Sequence, residues 1–182
     1  MADDDQVVGK IRVADESTTA DHNFLTIDLP TWGMQYYEDL EVGDTQEFGE
    51  YHVTGEEIVE FAEQYDPQPF HIDEEAAEES AFGELVASGW HTASMCMRML
   101  VDGPLGEQAS MGARGVDELR WKKPVKPGDT LSARTEVLDK RVSESDPRRG
   151  YVDVRFEGLN QDDEVVVSWI SLAMIERRTP GE

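Results

Sequence analysis

Apolar and polar positions fall into a clear order from Tyr36 onward. Thr54-Gly-Glu-Glu57 has capping-box spacing, in which the Thr hydroxyl accepts from the Glu57 N–H and the Glu57 carboxylate reaches back. Ile58, Phe61, Ala62 and Tyr65 follow at i, i+3, i+4 and i+7, which predicts an amphipathic helix with a core-facing stripe. Asp66-Pro-Gln-Pro69 must end it, because prolines lack backbone donors and push their predecessors out of helical space. Asp73 can cap a short acidic helix through Glu79. Gly89–Val101 is small or apolar almost all round, with Arg98 its single charge, so a buried helix is expected there. After Met111 the period changes to two. Leu119 and Trp121 alternate with Arg120 and Lys122. Leu131, Ala133, Thr135 and Val137 alternate with Ser132, Arg134 and Glu136, and Val152, Val154 and Phe156 with Asp153, Arg155 and Glu157. That is the mark of antiparallel strands with one wet face. Val165–Ile175 is more continuously apolar and should be a more central strand. Pro127-Gly128 suits a type II turn, Asp146–Gly150 a wide loop and Asn160–Asp163 a tight one.

The order is strand, helix, buried helix, then four strands. It predicts one α+β domain, residues 36–182, in which a curled antiparallel sheet wraps a central helix. Residues 1–35 are polar apart from Phe24–Leu29, with a break at Pro30, and read as a flexible N-terminal extension.

Composition narrows the function. Against 16 basic residues stand 40 acidic ones, a formal charge of −24. Residues 1–112 carry 26 acidic and 3 basic residues, whereas 113–182 carry 14 and 13. Such a surface repels nucleic-acid phosphates, which argues against a DNA or RNA partner. It suits a halophilic setting, where salt screens the mutual repulsion of dense carboxylates. Cys96 is the only cysteine, so no intrachain disulfide can form. No stretch approaches the ~20 apolar residues of a membrane span, and a cytoplasmic protein is expected.

Candidate chemistry is concentrated in Tyr65–Asp73, where two prolines stiffen the backbone between Asp66 and His71. A carboxylate and an imidazole sharing one water form a workable acid/base pair near neutral pH. On spacing alone the alternative stands that Asp66 ends a helix and His71 packs in a loop. Gly89 opens the buried helix, whose first N–H groups lack intrahelical partners. His22 and His52 have no partner in sequence, and His91 suits a structural place in the first helical turn. No ligand spacing supports a metal site.

Asp66-x-Gln-Pro-Phe-His71-x-Asp73 resembles the Asp-x-Asn-Pro-hydrophobic-His-x-Asp/Glu signature of MaoC-like dehydratases, the (R)-specific enoyl-CoA hydratases. Tyr37-Glu-Asp-Leu-Glu-Val-Gly-Asp44, Ala87-Ser-Gly-Trp-His-Thr92, Gly115–Trp121 and Pro127-Gly-Asp129 are similar to one branch of that family, in the same order. The resemblance covers roughly residues 36–177 and implies a hot-dog fold, usually dimeric, so a homodimer or higher homo-oligomer is expected. It implies an acyl-CoA substrate and no separate cofactor, since CoA arrives as part of that substrate. It further implies that Asp66 and His71 act on a shared water and that the Gly89 N–H receives the thioester oxygen. Two positions depart from the pattern: Gln68 replaces Asn, and Ser88 stands where many hydratases have His. Substrate-binding candidates are Ser88 and Trp90 beside Gly89, with Arg120, Lys122, Lys123, Arg148 and Arg149 for the nucleotide end. Arg114 and Lys126 belong to the same basic set, whose plainer reading is a solvated sheet face. Two other functions fit such a fold: a thioesterase, disfavoured because Gly89–Val101 holds no carboxylate, and a non-catalytic acyl-thioester binder.

Overall fold

A computed structural model describes residues 34–178, so the Phe24–Leu29 patch, His22 and nearly all of the expected extension lie outside the described residues. The described chain runs β1 (Thr45–His52), α1 (Gly55–Tyr65), α2 (Pro69–Ile72), α3 (Glu74–Glu78), α4 (Gly89–Asp102), then β2 (Ser110–Trp121), β3 (Thr130–Val142), β4 (Arg149–Leu159) and β5 (Val165–Glu176). The five strands form one antiparallel sheet in the order β1-β3-β4-β5-β2. Gln35 is already part of this body, paired with Gln108 and donating to the Glu107 carbonyl at 2.7 Å.

The sheet packs one face on α4. Leu131, Ala133, Val137, Val152 and Phe156 point inward from β3 and β4, as their period-2 pattern requires. Phe156 stacks on its cross-strand partner Trp169, with centroids 4.0 Å apart, and both join Met95, Cys96 and Met99 of α4 in the main core. The helix can settle this closely because Gly158 has no side chain: a Cβ there would lie 2.7 Å from the Cys96 Sγ. A smaller cluster of Tyr37, Leu40, Val137, Val152 and Ile175 closes the other end of the sheet.

Four expectations are corrected in detail. The helix expected to be buried all round has one wet side, because Trp90, Met97 and Val101 are exposed with Arg98. Tyr65 is exposed rather than core-facing and stacks obliquely on half-buried Phe61, leaving Ile58 and Ala62 as the buried stripe. Only half of the capping box forms: the Thr54 hydroxyl accepts from the Glu57 N–H at 3.3 Å, while the Glu57 carboxylate turns toward Tyr51 and His91. Strand β2 does not alternate in burial. It is a sheet edge broken by three register shifts, and only Leu119 packs against the core. Strand β5 lies between two neighbours as expected, although β4 is the middle strand.

Candidate active site

The prolines build the site. Helix α1 stops at Tyr65, with Asp66 as C-cap in a non-helical conformation and its N–H bonded to the Ala62 carbonyl. Pro69 then starts the one-turn helix α2, where a missing N–H costs nothing. That turn drives His71 inward to 5% exposure. Its Nδ1 lies 2.6 Å from the Val86 carbonyl oxygen, in the buried segment Leu85–Ser88. A carbonyl can only accept, so Nδ1 carries the proton and Nε2 is left facing the site. Nε2 lies 3.7 Å from Asp66 Oδ2, beyond a direct hydrogen bond and within reach of one shared water.

Asp66 is held from two sides. The Ser88 hydroxyl donates to Oδ2 at 2.6 Å, and the Gln68 amide donates to Oδ1 at 2.8 Å. These bonds, the Ser88 hydroxyl foremost, with a smaller contribution from the nearby His71, hold the carboxyl below its usual range against the opposing effect of burial. Ser88 is also the N-cap of α4, its oxygen accepting from the Trp90 N–H at 3.2 Å. Gly89 follows as the first helical residue, and no acceptor among the described residues meets its N–H. A side chain at Gly89 would strike the Trp121 indole at 2.6 Å, and that indole donates from Nε1 to the Gly89 carbonyl at 2.8 Å. Trp90 meets Trp121 edge-on, with ring centroids 5.2 Å apart.

These groups line one cavity of about 490 Å³. Asp66, His71 and Gly89 share it with the apolar Phe70, Phe82 and Val125. A site of this kind can hold a small polar nucleophile at one end, an apolar chain along its wall and a developing oxyanion at the helix N-terminus.

The expected site residues divide into two groups. Ser88, Trp90, Lys122 and Lys123 line the cavity with Asp66, His71 and Gly89. Lys123 is ion-paired with Glu164, whereas no carboxylate among the described residues pairs with Lys122. Arg120 is exposed and bonds the neighbouring Leu119 carbonyl instead. Arg148 and Arg149 are not brought to this cavity within the chain. The Lys122 N–H bonds the Val166 carbonyl at the start of β5, whereas Arg149 pairs with Glu176 at its end. Arg148 is closed on Asp146 at 2.9 Å, and Arg149 lies with Arg114 and Arg141 around the Tyr151 ring. Lys126 pairs with Glu84, and Arg114 with Asp153 at 3.9 Å. His91 stacks on Phe61 at 4.6 Å and does not line the cavity, a structural place in the first turn of α4. Among the described residues no group of three or more His, Cys, Asp or Glu could hold a metal ion. No helix among them is long and apolar enough to cross a membrane.

Sequence reading missed Trp121 as a site residue and the bond from Ser88 to Asp66. The first had a signal, a tryptophan ending a strand beside two lysines. The second had none, because 22 residues separate the partners.

A family model described as a MaoC like domain matches residues 39–156. The MaoC-like dehydratase structure from Rhodospirillum rubrum is 43% identical, with a TM-score of 0.76 over 80% of this chain and 99% of that one. The 3-hydroxybutyryl-CoA dehydratase of Methylorubrum extorquens is 33% identical over 116 residues, 61% of this chain and 69% of that protein. A Mycobacterium tuberculosis structure described as a double hot-dog fold is 19% identical, with a TM-score of 0.67 over 82% of this chain and 46% of that one. That likeness bears on the fold alone, and the fold is a hot dog. Since the family model spans well over half of the residues, the chain belongs to the MaoC-like family.

Proposed function

We propose that the protein adds water across the 2,3 double bond of an enoyl-CoA thioester, or removes it in the reverse direction. The observation that carries this reading is the 3.7 Å separation of Asp66 Oδ2 and His71 Nε2 in a cavity that also contains the free Gly89 N–H. A water held by both groups attacks the β-carbon, and the negative charge that develops on the thioester oxygen is met by the Gly89 N–H and the positive end of α4. The apolar cavity wall takes the acyl chain. Lys122 and Lys123, just past the end of β2, suit the phosphates of CoA, an anion that the rest of this acidic chain repels. Family membership and the dehydratase relative support the same reaction class. We expect the working unit to be a homodimer.

The test is to follow loss of enoyl-thioester absorbance with a panel of enoyl-CoAs of increasing chain length. Turnover of at least one, abolished in Asp66→Asn, is the expected result. Tight binding of every panel member without turnover would replace this reading with that of an acyl-thioester binder.

A further inference from the structure

Ser88 is fully buried and spans the two halves of the site. Its hydroxyl proton goes to Asp66 Oδ2 at 2.6 Å, at the end of α1, while its lone pair receives the Trp90 N–H at 3.2 Å, at the start of α4. One oxygen therefore fixes the carboxylate relative to the helix terminus that carries Gly89. The bonded oxygen, Oδ2, is also the one nearest His71 Nε2. With Gln68 donating to Oδ1 at 2.8 Å, both carboxylate oxygens already hold a donor before any water arrives. Each such bond to an ionised acceptor lowers its appetite for a further proton. His71 is arranged the opposite way. Among the described residues its ring makes one hydrogen bond, from Nδ1–H to the Val86 carbonyl, which orients the ring and leaves the Nε2 lone pair facing the site.

We infer that Ser88 is a positioning residue that divides the labour of the pair: it keeps Asp66 as a fixed acceptor that orients the water, so that His71 Nε2 takes the proton. This rests on the hydratase reading above. The water donates one hydrogen to Asp66 Oδ2 and one to His71 Nε2. As its oxygen bonds to the β-carbon, the proton passes to Nε2 and the π electrons move to the thioester oxygen beside the Gly89 N–H. The imidazolium, stabilised by Asp66, then returns that proton to the α-carbon on the same face. The thioester is restored and His71 is neutral again.

Three measurements test this. Carbon-detected NMR titration of the Asp66 carboxyl in the wild-type protein should give a midpoint below 3.8, the ordinary value from which it is lowered, and Ser88→Ala should move it upward. Steady-state kinetics of Ser88→Ala should show kcat reduced about ten- to a hundredfold, the worth of a hydrogen bond to a charged group, with KM within about twofold. Ser88→Thr, which keeps the hydroxyl, should recover most of the loss. The acid limb of kcat/KM should not follow the Asp66 midpoint upward in Ser88→Ala, because Asp66 is not the group that takes the proton. An acid limb that rises with the Asp66 midpoint makes Asp66 the base and overturns the inference. An unchanged kcat with an unmoved carboxyl midpoint also overturns it. If the wild type hydrates no enoyl-CoA, the reaction reading fails and the division of labour falls with it, while the carboxyl titration still decides whether Ser88 holds Asp66.

Discussion

In the proposed reaction Asp66 and His71 grip one water and form a single device, so that removing either removes the device. Asp66→Asn keeps the size and much of the hydrogen bonding, and His71→Ala deletes the imidazole. Each should cost about two to four orders of magnitude in kcat, and the double variant should be little slower than the worse single one. Kinetics on proteins matched for melting temperature check this, and additive losses would mean that the two act separately. Gly89 makes a second prediction at this scale. A methyl group there would press on the Trp121 indole at 2.6 Å, so Gly89→Ala should lower stability by about 1–3 kcal/mol and shift tryptophan emission. Shortening the neighbour, in Gly89→Ala with Trp121→Ala, should recover part of the stability; calorimetry reads both. That Asp66 and His71 lie close together was legible in the sequence, because only four residues separate them and two of those are prolines. The Ser88 bond was not, since it depends on how α1 and α4 pack.

At the scale of elements the contrast among strands is instructive. The alternation in β3 and β4 translates directly into buried and half-buried faces because their ladders run long between single register shifts. In β2 the same period fails, because three shifts rotate the chain and, among the described residues, one side of the strand has no partner. That edge exposes Met111, Val116 and Trp121, and α4 exposes Met97 and Val101. Unpaired edge donors beside apolar side chains favour pairing with a second copy. Light scattering in molar KCl should give twice the 20.5 kDa chain mass, and Val116→Lys should shift the population toward monomer. A single 20.5 kDa species at micromolar concentration would exclude this pairing.

The contact between α1 and α4 carries a pH dependence. Burial lowers the His91 pKa to about 4, and Glu57 Oε1, at 4.0 Å from Nε2, is too far for a hydrogen bond that would offset it. An unfolded histidine titrates near ~6.5. Between those values the unfolded chain binds the extra proton, so this contribution is complete above about pH 6.5 and is lost as pH falls toward 4, up to about 3 kcal/mol. Melting curves from pH 7 to 4 should fall less steeply for His91→Phe, which keeps the stack on Phe61. Equal slopes would remove His91 from the acid response.

Over the whole molecule charge dominates. Residues 1–112 carry 3 basic against 26 acidic side chains, so dilute buffer leaves a large self-repulsion unscreened. The melting temperature should rise steeply from low to molar KCl, and a flat response would remove the link between acidity and salt. Inside this charged shell the single thiol has another use. Cys96 lies against Gly158 where α4 meets the sheet, and burial pushes its pKa up to about 12. A reagent specific for thiolates therefore finds no target until the helix parts from the sheet. With no second cysteine to confuse the signal, the labelling rate is a clock for core opening, and its slowing on adding enoyl-CoA would measure ligand affinity without any turnover.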